Sequence, residues 1–184
     1  MKSHASLCGV AFIMIYRTDI RNGRFIMIVD YSKFELGINF CADVIIEDGG
    51  SEKTIEAQIQ PDQNHEIPES GKETLEFFLD NYSKYRQFLS EPIFDYYQKR
   101  RAEWGATEPD DELYPEVKDM NKMYEMVSLN TVTVYDEADH GERIIGLFYD
   151  CTWDEEEGMG IRIALGNNGS EVRVVKIGNV GYVY

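Results

Sequence analysis

The hydrophobic pattern of this chain changes its period twice, and that switch constrains the fold more than any single motif. Over residues 9–59 apolar side chains come in short runs rich in Ile and Val, bounded by turn residues, which reads as β-structure. The expected strands cover 9–16, 25–31, 36–46 and 54–59. Arg21-Asn22-Gly23-Arg24 is the first turn, and Glu47-Asp48-Gly49-Gly50-Ser51 separates the last two strands. After Pro68 the spacing moves to about 3.6, with Leu75, Phe78, Leu79, Tyr82 and Leu89 on one face and Ser70 and Glu73 in the spacing of a capping box. Ser90-Glu91-Pro92 reads as a break between two helices, because Ser caps and Pro suits a first helical turn. The second helix carries Phe94, Tyr97, Arg101 and Trp104 on one stripe, with Lys99-Arg100-Arg101 near its end, where the macrodipole favours cations. An acidic loop over 105–115 and a short helix over 119–126 follow.

From residue 129 the period returns to two. Strands are expected over 129–135, 143–149, 159–165 and 171–177, with 180–184 closing the chain and Gly166-Asn167-Asn168-Gly169 forming a hairpin turn. The reading is a single α+β domain over 1–184: antiparallel β-sheet structure at both ends of the chain, a central αα-hairpin and a C-terminal β-meander. Its parts are β-rich 9–59, helical 70–126 and meander 129–184.

Charge is the second constraint. The net charge is −16, and residues 105–160 alone carry 3 basic and 16 acidic side chains. Phosphate backbones are bound by clustered Lys and Arg, so this field argues against nucleic acid as a partner. It suits steering of a basic protein, which raises association rates by roughly 10 to 10³-fold at low salt. Hydrophobic residues at 43% and aromatics at 12% supply enough apolar surface for a core despite the charge. The 3 cysteines, Cys8, Cys41 and Cys151, share no CxxC spacing, which fits reduced thiols in a cytoplasmic protein. The apolar run 7–16 after Lys2 lacks the small-residue cleavage pattern of a signal peptide and is too short to span a bilayer. A cytoplasmic location with no membrane contact is therefore expected.

Catalytic motifs are sparse. Asp136-Glu137-Ala138-Asp139 spells a helicase box, yet the phosphate-cradling GxxxxGK[ST] loop it works beside is missing from the sequence. The 3 histidines, His4, His65 and His140, belong to no HExxH or nucleophile-elbow pattern. No catalytic residue, metal or cofactor is assigned. Asp150 with Asp154, Glu155, Glu156 and Glu157 is the densest carboxylate cluster; it lacks the alternating ligands of an EF-hand loop.

That cluster sits in the most distinctive segment, Gly146-Leu147-Phe148-Tyr149-Asp150-Cys151-Thr152-Trp153-Asp154-Glu155-Glu156-Glu157-Gly158-Met159-Gly160-Ile161. Its pattern is a strand, an acidic turn and a second strand, with Gly158 and Gly160 allowing unusual backbone angles or close packing. The run resembles the C-terminal signature of an uncharacterised bacterial family, a domain of unknown function, through Trp153, Asp154, Glu155, Glu156, Gly158 and Gly160. Glu157 stands where that family usually carries His. The resemblance extends upstream through Tyr114-Pro115-Glu116-Val117, and it implies a class of small acidic proteins that accompany toxins as immunity partners.

Two readings of the segment stay open: Trp153 covers one end of the core above a solvated turn, or Trp153 and its carboxylates form a partner-binding anchor. The leading expectation is a non-enzymatic protein-binding domain, an immunity-type inhibitor of a basic toxin such as a nuclease. The alternatives are a carboxylate-dependent or metal-assisted hydrolase using Asp150 and Asp154 to Glu157, and a structural domain with no ligand.

Overall fold

The computed structural model describes residues 15–19, 24–135, 142–166 and 171–183. Residues 9–14 of the expected first strand, Arg21 to Gly23 of its turn, the Asp136 to His140 loop and Asn167 to Gly169 lie outside that range, as do His4, Cys8 and Tyr184. The chain opens with an antiparallel pair, β1 (Ile15–Asp19) and β2 (Arg24–Ile28). A 3₁₀ turn, Tyr31–Lys33, leads into β3 (Glu35–Leu36), β4 (Phe40–Asp48) and β5 (Ser51–Ile59). Helix α1 (Glu69–Glu103) follows, then a 3₁₀ segment Met120–Glu125 where a short helix was expected. Strands β6 (Val127–Val134), β7 (Arg143–Cys151), β8 (Asp154–Leu165) and β9 (Val172–Gly178) complete the sheet.

The sheet has seven strands in the order β3-β4-β5-β6-β7-β8-β9. Every neighbouring pair is antiparallel except β5 and β6, which run parallel from Glu56 opposite Thr131 to Ile59 opposite Val134. A parallel pair requires a crossover, and α1 lies within it. The expected α+β arrangement with antiparallel sheet structure at both ends of the chain is therefore corrected: one mixed sheet unites β3, β4 and β5 with β6 to β9, while β1 and β2 form a two-stranded sheet of their own.

The central αα-hairpin is also overturned. Glu69–Glu103 is one 35-residue helix with Pro92 inside it. Pro92 has no N–H for the carbonyl four residues earlier, but that carbonyl belongs to Phe88, an exposed residue on the water side of the helix. The buried stripe meanwhile passes straight through, from Tyr82 and Tyr85 to Leu89, Ile93 and Tyr97. Burial of that stripe outweighs the roughly 3 kcal/mol a proline costs in a helix interior. The N-terminus differs from the sequence reading too: Pro68 is the cap residue, and Ser70 lies inside the helix with its carbonyl accepting from Thr74 Oγ1 at 2.7 Å.

Alternating side chains of the strands meet this stripe in one contiguous core that includes Val44, Ile46, Ile55, Ile59, Val132, Leu147, Tyr149, Met159 and Ile161. On the opposite face Val183 of the short helix α2 (Val180–Val183) packs onto β8, where a Cβ on Gly160 would come within 2.8 Å of it. That helical turn lies in the segment 180–184 expected to close the chain. The β4–β5 turn places Gly49 and Gly50 at φ 63° and 88°, the conformation that makes a two-residue hairpin compatible with strand twist.

Candidate functional site

The acidic turn between β7 and β8 is built by a mismatch in strand length. Cys151 pairs with Asp154 across a two-residue turn, and Tyr149 pairs with Met159. Residues 155–158 of β8 thus stand opposite Asp150 alone, a bulge that lifts Glu155, Glu156 and Glu157 out of the ladder as exposed side chains. Gly158 closes the bulge at φ 63°, and a Cβ there would come within 2.5 Å of the Tyr149 carbonyl oxygen. Asp154 accepts from the Glu157 backbone N–H at 3.1 Å. Glu157 accepts from Asn179 Nδ2, which ties the bulge to the segment before α2.

Trp153 points the other way. It is 6% exposed and packs on Tyr97 of α1, with ring centroids 4.9 Å apart. The Trp is part of the core, and the carboxylates that follow it in sequence are mounted on that fixed base. Asp150 belongs to a different side. It alternates with buried Tyr149 and Cys151 and accepts from Asn130 Nδ2 at 3.0 Å on the face away from α1. Asp154 instead shares the α1 face with Cys151. Burial, with Asp154 and Asp150 adding to it, pushes the Cys151 thiol up to about 12; such a thiol is not a nucleophile near neutral pH. Cys41 and Cys151 are both buried, and neither forms a disulfide among the described residues.

Helix α1 brings a second acidic segment to the same end. Tyr97 Oη donates to the Pro115 carbonyl at 2.5 Å, Gln98 Nε2 to the Val117 carbonyl at 3.1 Å, and Arg101 to the carbonyls of Tyr114 and Glu108 at 2.9 and 2.7 Å. Asp111 turns the loop by accepting from the backbone N–H groups of Leu113 and Tyr114 at 3.1 and 2.7 Å. The basic run near the helix end therefore does more than answer the macrodipole: Arg101 holds the loop that carries Glu108, Asp110 and Glu112 outward. Tyr114 sits between the two acidic segments. Burial raises its hydroxyl pKa, Arg100 opposes this, and Asp154 raises it further.

A family model described as "Domain of unknown function (DUF6985)" matches residues 32–179. The chain belongs to that family. The DUF6985 match takes in β3 to β9 and α1, and so includes both acidic segments. No curated protein and no solved structure matches the chain.

What the sequence reading of this DUF6985 chain missed is Trp104. Its spacing put it on one stripe with Phe94, Tyr97 and Arg101; Tyr97 is fully buried there, whereas Trp104 is 64% exposed. The helix stops there: Gly105 at φ 69° donates to the Ala102 carbonyl and Ala106 to the Arg101 carbonyl, the paired bonds of a Schellman cap. The Trp-Gly step was the available indication. Trp104 stacks on Tyr114 with centroids 6.0 Å apart, and Leu113 beside Tyr114 is 58% exposed. A chain of rings, Trp104, Tyr114, Tyr97 and Trp153, thus connects the acidic loop to the acidic turn.

The hydrolase expectation required carboxylates converging in a pocket. Glu155, Glu156 and Glu157 are exposed, and among the described residues no group of three or more His, Cys, Asp or Glu is placed to hold a metal ion. Among the described residues no helix is long and apolar enough to cross a membrane.

Proposed function

We propose that this chain is a cytoplasmic, non-enzymatic protein-binding domain that engages a basic protein, as an immunity-type inhibitor occluding a basic toxin such as a nuclease. The observation that carries the reading is the concentration of charge. Residues 105–160 hold 3 basic and 16 acidic side chains, and two of their acidic segments are held at one end of the molecule by α1 and the ring chain. The backbone of each segment is held by hydrogen bonds, to Arg101 in one and to Asp154 in the other, which reduces the backbone ordering cost on binding. Asp154, Glu155, Glu156 and Glu157 form one part of the proposed contact, with Trp153 as their support from below. Asp150 borders it on the other sheet face.

Such a surface increases the encounter rate with a positively charged partner, and the gain falls with ionic strength. The test is co-purification of the chain with the product of the adjacent reading frame, at low and then high salt. A stoichiometric basic partner whose association slows with salt, and slows again on charge reversal at Asp154 and Glu156, is the expected result. A partner bound equally well at both salts and by the reversed variant rules the surface out. No partner at either salt rules out the inhibitor reading.

A further inference from the structure

The exposed tryptophan gives the proposed binding surface a defined centre. One face of Trp104 is covered by Tyr114. Among the described residues no second ring lies against it, and the cation–π pairs of the structure engage Tyr31, Tyr124, Phe77 and Tyr135 instead. The nearby cations are already committed. Arg101 is held by two backbone carbonyls, and Arg100 donates to Glu103 at 3.2 Å. Glu108, Asp110 and Glu112 on the adjoining loop are exposed, and none of them forms an ion pair among the described residues. An exposed indole with a negative quadrupole therefore stands at the start of a loop whose carboxylates are exposed and outside any ion pair among the described residues.

We propose that the outer face of Trp104 is the landing site for an arginine side chain of the basic partner, the guanidinium lying flat on the indole with its edge N–H groups free to meet the carboxylates of the adjoining loop. This rests on the basic-partner reading above and adds the residue and the side-chain chemistry. Arginine fits better than lysine on physical grounds. A guanidinium is planar and weakly hydrated, so it stacks on an aromatic ring while its edge still donates to carboxylates, whereas an ammonium is strongly hydrated and offers no plane. The indole is also fixed in advance, by the Schellman cap on one side and the Tyr114 stack on the other, and Trp is enriched among interface hot spots for this combination of area and rigidity.

The experiment uses the full chain and two probes, an octa-arginine and an octa-lysine peptide, titrated at low salt with calorimetry and tryptophan emission as readouts. The chain has 2 tryptophans, and Trp153 is buried, so an emission change on binding reports Trp104. The expected result is tighter binding of octa-arginine, with Trp104→Ala weakening it about tenfold and removing the preference over octa-lysine, while Trp104→Phe retains part of both. Unchanged circular dichroism checks that the alanine variant is folded. If Trp104→Ala binds octa-arginine as tightly as wild type, the landing site is wrong. In that case the basic-partner reading still stands provided that Asp110→Asn with Glu112→Gln weakens both peptides. If wild type binds neither peptide at low salt, the basic-partner reading falls and the landing site with it.

Discussion

The β7–β8 turn and the C-terminus of α1 each end on a tryptophan beside a run of carboxylates, and the two rings are joined through Tyr97 and Tyr114. Their surroundings are opposite. Trp153 is enclosed by the core at 6% exposure while Trp104 is 64% exposed. The same residue type next to the same charge thus does two different jobs. In the turn the ring fixes the backbone from which carboxylates project. At the helix end the backbone is fixed by its cap and by Arg101, which leaves the ring available. The difference comes from where the sheet stops: the turn folds back over α1, whereas Trp104 lies at the point where the helix ends.

The contrast can be broken most forcefully at Trp153. Replacing it by Ala should destabilise the fold by about 3–5 kcal/mol, measured by urea denaturation, and an effect comparable to that of an exposed residue would show that the ring is not a support. Gly158→Ala should cost about 3 kcal/mol through its positive φ and the Tyr149 carbonyl. In that variant the loss should fall on the turn, read as faster amide exchange in β7 and β8 with the α1 end unaffected.

Tyr97 packs on Trp153 and reaches Trp104 through Tyr114, and Tyr97→Phe should cost about 1–2 kcal/mol near neutral pH by leaving the Pro115 carbonyl without its donor. Burial pushes the Tyr97 hydroxyl up to about 12, while an unfolded phenol ionises near 10. Between those values the folded state keeps a proton that the unfolded state releases, so stability contributed by this group falls as pH rises. The gap between wild type and the Phe variant should accordingly narrow above pH 10 and stay constant below it. Trp104→Ala should change stability by only about 0.5–1 kcal/mol, the worth of its stack on Tyr114, and a larger loss would make it a second support. The smallest effect belongs to Glu155→Gln with Glu156→Gln, within about 0.5 kcal/mol in stability, visible only as a several-fold slower, less salt-sensitive association with a basic partner in stopped flow.

Much of the strand and helix content was readable because it is local. The strands expected over 143–149 and 159–165 lie within Arg143–Cys151 and Asp154–Leu165; both are buried on the two sheet faces there, and their short apolar runs leave a direct trace in the residue order. Pro92 misled because the rule that proline breaks helices is local, whereas the burial of Tyr85 and Ile93 on either side is tertiary; the unbroken spacing from Tyr82 to Tyr97 carried the contrary message. The parallel pairing of β5 with β6 has no local trace, since the strands are joined only through α1. The helical turn from Val180 was not legible in the closing residues 180–184; Val183 packs there against Gly160, where a Cβ would meet it. At the site, the carboxylates of Asp154 to Glu157 were legible as a projecting turn, but which tryptophan faces water was not, since both lie beside acid and aromatic neighbours in sequence.

The one parallel pair in the sheet also governs how the chain can be assembled during synthesis. Strands β4 and β5 are neighbours in sequence and can pair locally, and β6 to β9 can zip in succession, each waiting only for its neighbour. The seam between β5 and β6 closes across the longest loop in the sheet, and closing long loops is what slows folding. Until then the hairpin's apolar face depends on α1 for cover, and a nascent chain halted after the helix would expose the inner edge of β5 to any other strand that came within reach.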